Sequence, residues 1–160
     1  MANCKNVLLI TGGGSGMGRE AARRFAAEGA TVALFDVNAA GMAETVGTFD
    51  SIHSWTVDMT DFPAVCAAVR AVEEKLGPVE RLYNCAAIMP FGLLVEQANA
   101  IIHKQMAINY GGLVNITQAV LPGMLQRGHG DFVSFASMAA IIPMIYSGGY
   151  TASKFAVRAF

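Results

Sequence analysis

The chain is short of charge: 14% of its 160 residues are Asp, Glu, Lys or Arg, and the 11 basic and 12 acidic side chains nearly cancel. A surface without a basic excess offers little to a nucleic-acid backbone or an anionic membrane, so neither is an expected partner. The three cysteines, Cys4, Cys66 and Cys85, are odd in number and follow no CxxC spacing. That argues against a disulfide framework or a zinc site. His53, His103 and His129 stand far apart with no Cys or Glu at ligand spacing, so no metal is expected. No apolar run approaches the roughly 18 residues of a membrane span. The opening Met1-Ala2-Asn3-Cys4-Lys5 has no signal-peptide cleavage site. The expectation is a soluble cytoplasmic protein. Hydrophobic residues, at 54%, exclude disorder, and the length suits one domain with its own core.

What the chain does have is alternation. Asn6–Thr11, Thr31–Asp36, Ile52–Val57, Arg81–Cys85 and Asp131–Ala136 are short apolar runs of strand length. Between them lie helical patterns. Gly16–Glu28 carries its charges on one face and is stopped by Gly29, and a short helix follows near Ala39–Val46. Thr60-Asp61-Phe62-Pro63 supplies a cap and a first-turn proline. The helix so opened has an apolar stripe at Val65, Ala68, Val69, Val72 and Leu76 and ends at Gly77-Pro78. Helices are also expected over about Leu94–Gln105, Ile108–Gln126 and Gly149–Phe160. Strands alternating with helices through short loops predict a parallel sheet covered on both faces, and continuously apolar strands agree.

The loop after the first strand reads Thr11-Gly12-Gly13-Gly14-Ser15-Gly16-Met17-Gly18, a G-x-x-x-G-x-G spacing just before a helix. The N–H groups at a helix start favour a pyrophosphate, and glycine lets the backbone approach it without a Cβ. Asp36 closes the second strand, 20 residues past Gly16. An acid there accepts the adenosine ribose hydroxyls and repels a 2′-phosphate, and Val37-Asn38 supplies no arginine to welcome one. NAD(H) is therefore expected over NADP(H). Asp58, after the third strand, either contacts the adenine amino group or serves as a turn residue.

Tyr150 and Lys154 stand four apart on one helical face. A nearby ammonium and a positive nicotinamide ring both favour the phenolate, which fits Tyr150 for proton transfer to or from an alcohol or carbonyl oxygen. Ser137, at the end of the fifth strand, is placed to hydrogen-bond the same oxygen. Alone, Y-x-x-x-K is equally an ordinary amphipathic helix.

Taken in order, the glycine loop, Asn84-Cys85-Ala86-Ala87, Asn109, Ser137 and Tyr150-Thr-Ala-Ser-Lys154 occur at consistent spacing over essentially the whole chain. In this the sequence resembles the short-chain dehydrogenase/reductase family. The resemblance implies a Rossmann-type doubly wound α/β fold, with five strands here in the order 3-2-1-4-5. Tyr150 is implied as general acid/base, Ser137 as the residue that polarises the substrate oxygen, Lys154 as the group that lowers the tyrosine pKa and holds the nicotinamide ribose, and Asn109 as the holder of a relay water. Gly12, Gly14, Ser15, Gly16, Met17 and Gly18 are implied in the pyrophosphate turn. Asp36, Asp58, Asn84 and Ala86 complete the implied cofactor site, with Asn84 steadying the central strand. The function implied is NAD(H)-dependent interconversion of a secondary alcohol and a ketone or aldehyde.

The sequence departs from the family mildly at Asn84-Cys85-Ala86-Ala87, where N-N-A-G is usual. It departs more at its end, since Phe155–Phe160 is still in helical rhythm and family members continue through further strands and a substrate-covering loop. The expectation is a C-terminally incomplete chain, whose alternative function is that of an inactive nucleotide-binding fragment. The full-length form is expected to be a dimer or tetramer pairing through the helix over Ile108–Gln126 and the one near Gly149. Met89, Pro90, Phe91, Met138, Ile141, Pro143, Met144 and Ile145 either line an apolar substrate pocket or serve only as packing.

Overall fold

The computed structural model describes residues 7–160; Asn6, Cys4 and the rest of the opening segment lie outside the described residues. Five strands form one parallel sheet: β1 (Val7–Thr11), β2 (Thr31–Asp36), β3 (Ile52–Thr56), β4 (Val79–Asn84) and β5 (Asp131–Ser134). Their order is β3-β2-β1-β4-β5, as the resemblance implied. β1 is buried along its whole length because helices cover both faces. Val7 and Leu9 pack with Val65, Val69 and Val72 of α3 (Phe62–Leu76) and with Ile116 and Val120 of α5 (Gly112–Arg127). Leu8 and Ile10 point the other way, onto Ala22 and Ala26 of α1 (Gly16–Ala27) and Met42 of α2 (Ala39–Val46). A period of two with both phases apolar is what a doubly covered strand requires.

The local signals mostly fall where the sequence put them. Asp61 caps α3, its side chain accepting from the Ala64 N–H at 3.0 Å, and Gly77 ends it at φ +106°. Gly29, at φ +92°, turns the chain after α1. β4 starts at Val79 rather than Arg81, and its register beside β1 shifts between Val7 and Leu8.

Two helix boundaries differ. The helix expected from Leu94 begins only at Asn99, as α4 (Asn99–Met106). The Leu93 carbonyl instead accepts from the N–H groups of both Glu96 and Gln97, closing a tight turn, and Ala98 is extended at ψ 133°. The break expected near residues 106–107 is absent. Met106, Gly111 and Gly112 are all right-handed helical, and α4 runs into α5 through a single π turn at Ala107–Gly111. Asn109, Gly111 and Gly112 do not stop it, because the Asn109 side chain bonds Ile88 and Ser153 instead of capping the helix. The final helix, α6 (Gly148–Ala159), packs against α4 and the π turn. Among the described residues no helix is long and apolar enough to cross a membrane.

Registers align the carboxyl ends of the strands. Thr11 pairs with Phe35 on one side and Asn84 on the other, and Asn84 pairs with Ser134. Chain connections leave β1 in opposite directions here, so the loops after β1 and β4 part and leave a crevice. The closest backbone approach in that crevice is at Gly18, where an added Cβ would sit 2.2 Å from the Gly12 carbonyl oxygen. Gly18→Ala is expected to cost about 1–3 kcal/mol, as overpacking against rigid backbone does. Urea denaturation checks this: the midpoint should fall with the slope unchanged, and an unshifted midpoint would show that the turn yields freely.

Candidate active site

A cleft of about 390 Å³ opens at the carboxyl edge of the sheet, between the loops after β1 and β4. It is lined by Gly12, Ser15, Gly16, Met17 and Gly18 from the first loop and by Asp36 and Asp58 from the ends of β2 and β3. Cys85, Ala86, Ile88 and Met89 line it from the β4 loop, Ile108 from the π turn, and Tyr150 from α6.

The glycine turn is held from behind. Thr11 donates its hydroxyl to Asn84 Oδ1 at 2.7 Å and accepts from the Ala86 N–H at 3.1 Å, tying the ends of β1 and β4 together. Gly12, at φ +71°, lies so close to this loop that a Cβ would meet Ala86 N at 2.8 Å. Arg19 donates to the Gly14 carbonyl at 2.6 Å and also reaches Thr45 and Gly41, while its guanidinium pairs with Glu44 at 3.0 Å. Thr45 donates to the Gly13 carbonyl at 2.7 Å. All these bonds occupy the outer side of the loop. On the cleft side, an added Cβ at Gly16 would meet nothing within 4 Å, and Ser15 at the start of α1 makes no side-chain cap bond. The first N–H groups of α1 are thus left without a side-chain cap, in a cradle that glycine keeps open. A dinucleotide pyrophosphate fits that donor set.

Asp36 is fixed by two backbone donors, Gly14 N–H at 2.8 Å and Asn38 N–H at 2.9 Å, one on each carboxylate oxygen. Each oxygen keeps a lone pair for a further donor. Asp58 lines the cleft and closes a local turn, its Oδ1 accepting from Thr60 N–H at 2.9 Å and Thr60 Oγ1 at 2.8 Å. Those two bonds hold its carboxyl below the ordinary value.

At the other end, Tyr150 is half-buried and Lys154 is buried. The Lys154 ammonium lies 5.8 Å from the Tyr150 ring centre and donates to the Phe135 carbonyl at 2.6 Å. Burial lowers its pKa, with the Cys85 thiol acting weakly the other way. Burial likewise pushes Cys85 up to about 11, against the opposing effect of Lys154. Ser137 accepts from the Ala139 N–H at 3.1 Å, which leaves its hydroxyl proton free to donate.

Asn109 sits in the π turn, at the junction of the β4 loop and α6. Its side chain is buried and already makes three bonds: Oδ1 accepts from Ile88 N–H at 2.8 Å, while Nδ2 donates to Ile88 O at 3.0 Å and Ser153 Oγ at 2.9 Å. Ser153 in turn donates to the Tyr150 carbonyl at 2.7 Å. The π turn aims Asn109 inward, so one side chain ties the β4 loop to α6. Neither Asn109 nor Asn84, Gly14, Ser137 or Lys154 lines the cleft directly. Thr11, Arg19, Thr45 and Ser153 support the site without having been singled out in the sequence; only Ser153, three residues past Tyr150, carried a positional hint. Among the described residues no three His, Cys, Asp or Glu side chains come together.

A parallel sheet in this order, with an open glycine turn at its switch point and an acid closing β2, defines a dinucleotide-binding protein of the Rossmann type. The family model described as short chain dehydrogenase matches residues 6–160, and the chain belongs to that family. It is 35% identical over 153 residues to a 2-dehydro-3-deoxy-L-rhamnonate dehydrogenase (NAD(+)) from Sphingomonas sp., covering 95% of this chain and 61% of that one. It is 35% identical to dehydrogenase/reductase SDR family member 7B of Rattus norvegicus, covering 96% of this chain and 50% of the relative. Among solved structures, an actinorhodin polyketide ketoreductase with NADPH superposes with a TM-score of 0.93 at 33% identity, over 100% of this chain and 64% of that one. An NAD+-bound xylitol dehydrogenase gives 0.92 at 28% identity, over 97% and 62%. The chain thus spans about half to three-fifths of the length of such relatives.

The Cys85 thiol should resist alkylation despite lining the cleft. With its pKa near 11 rather than 9.0, the thiolate is about a hundredfold scarcer at pH 8 than for a free cysteine. Peptide-resolved mass spectrometry after iodoacetamide should show Cys85 labelled correspondingly slowly, and faster only as pH climbs toward 11. Labelling at the rate of free cysteine would contradict the buried thiol.

Proposed function

We propose that the protein, in its whole form, is an NAD(H)-dependent oxidoreductase that interconverts a secondary alcohol and a ketone or aldehyde. The observation that carries this is the single cleft that has the glycine turn and Asp36 at one end and Tyr150 at the other. The nicotinamide, when bound, supplies the hydride acceptor or donor. The residues of the chain do the rest. Backbone N–H groups at the start of α1 hold the pyrophosphate, and the free lone pairs of Asp36 accept the adenosine ribose hydroxyls. The same carboxylate opposes a 2′-phosphate, and the nearby Arg19 is already committed to Gly14, Thr45, Gly41 and Glu44. This favours NAD(H), the cofactor named for the Sphingomonas relative, over the NADPH of the ketoreductase.

Tyr150 exchanges a proton with the substrate oxygen, with the Lys154 ammonium 5.8 Å from its ring centre. Ser137 donates its free hydroxyl proton to the same oxygen. Lys154 has donors beyond the one given to Phe135, available to a ribose hydroxyl. We assign the whole protein to the cytoplasm and to a homo-oligomer; exposed Leu121, Leu125, Phe155 and Phe160 on α5 and near the end of α6 support association there.

The test has two parts. In NADH and NADPH titrations followed by nucleotide fluorescence, Asp36→Ala should erase most of a preference for NADH of about tenfold or more, the scale of one unfavourable charge contact. Tyr150→Phe should keep NADH binding while lowering turnover of a secondary-alcohol panel by about 10²-fold or more. Binding without turnover in the unmodified chain would support the reading as an inactive nucleotide-binding unit. Tighter NADPH binding would overturn the NAD assignment.

A further inference from the structure

The two stretches that flank Tyr150 carry no formal charge, although Glu96 and Gln97 follow the first of them before α4 begins. Residues 86–95 and 137–149 contain no Asp, Glu, Lys, Arg or His, and no Asn or Gln either. The Gly92 N–H donates to the Tyr146 carbonyl at 2.9 Å, so the loops after β4 and β5 meet in space. Their side chains stay outside the core: Met89 is 47% exposed, Phe91 54%, Met138 66% and Ile145 79%. Met89 itself lines the cleft with Tyr150.

The two cations of α6 beyond Tyr150 are bonded elsewhere. Lys154 is buried and donates to the Phe135 carbonyl. Arg158 lies two turns beyond Tyr150 along α6 and donates to the Ala140 carbonyl at 2.9 Å. Lys104 acts on Asp58, at the opposite end of the cleft. Polar side chains are equally scarce. Ser147 is buried and bonds Met144 and Thr151, and Gln97 and Gln105 both donate to the Pro90 carbonyl, which leaves Ser137 and the exposed Tyr146.

Resting on the oxidoreductase reading above, we propose that the substrate is an uncharged, apolar ketone or secondary alcohol. A sugar acid or other carboxylate is rejected. A carboxylate laid against these side chains beside Tyr150 finds no cation in either stretch, whereas a hydrocarbon ring finds methionines and an aromatic that adapt to its outline. The only polar group the recess recognises is the reacting oxygen, through Tyr150 and Ser137. This separates the chain from what the name of its rhamnonate relative implies for that protein, and aligns it with the ketoreductase.

A matched pair of ketones tests this, 4-propylcyclohexanone and 3-(4-oxocyclohexyl)propanoate, which differ chiefly in the terminal carboxylate. Binding to the NADH-loaded Tyr150→Phe chain, where turnover is suppressed, is read from the nicotinamide fluorescence. The neutral ketone should bind at least about tenfold more tightly, because burying an unpaired carboxylate is costly. Adding Met89→Arg should narrow that ratio by strengthening binding of the carboxylate. Equal or tighter binding of the carboxylate, or no saturable binding of the neutral ketone, overturns the proposal. NADH oxidation by the unmodified chain is measured alongside. Discrimination without oxidation sinks the hydride-transfer reading and leaves the apolar recess standing. Oxidation with reversed discrimination does the opposite.

Discussion

The ends of β1 and β4 are joined through one hydroxyl, and the cleft depends on that join. Thr11 gives its proton to Asn84 and takes one from the Ala86 main chain, so two strands that diverge in connection are locked side by side at their carboxyl ends. Both Thr11 and Asn84 are buried, where an unmade bond would leave a polar group with no water to turn to. The glycine turn is built on this platform. Gly12 presses against Ala86, and Gly18 against the Gly12 carbonyl, so α1 can begin only where it does. Its first residues, without a side-chain cap, therefore line the cleft because of packing behind them.

The opposite wall has its own tie. A π turn in the middle of the long helix rotates Asn109 inward, and its amide joins Ile88, Ser153 and, through Ser153, the Tyr150 carbonyl. The β4 loop is thus attached to the glycine turn at Ala86 and to α6 at Ile88. Two residues apart, these anchors fix the width of the cleft between cofactor turn and tyrosine. Lys154 adds a third point by donating to Phe135 after β5. Glycine at 149 completes the contact: a Cβ there would run into buried Gln105, whose other end holds Pro90.

Much of this was legible because local chemistry and global fold agree. The continuously apolar β1 and β2, the Asp61 cap and the Gly29 and Gly77 stops each have a short-range cause and sit where they were read, whereas β3, β4 and β5 are only partly buried. Asp36 and Tyr150 were legible because their spacing from other motifs is fixed by the sheet. The start of α4 was not, because Leu93 to Gln97 has helical composition but is held in a turn by the Leu93 carbonyl. The continuity of α4 and α5 was hidden for the opposite reason: a π turn changes register by one residue and leaves no capping signature. The supporting roles of Thr11 and Thr45 were invisible because they rest on contacts 73 and 32 residues away in sequence.

A second cavity of about 330 Å³ lies at the amino edge of the sheet, among Val7, Phe25, Arg81 and Asp131, and gives the central claim a sharp alternative. Hydrogen–deuterium exchange with and without NADH distinguishes the two. The account predicts slowed exchange confined to the glycine turn from Gly12 to Gly18, the ends of β2 and β3 at Asp36 and Asp58, and Cys85 to Met89. Slowed exchange at the amino edge instead, or none at the glycine turn under saturating NADH, would contradict it.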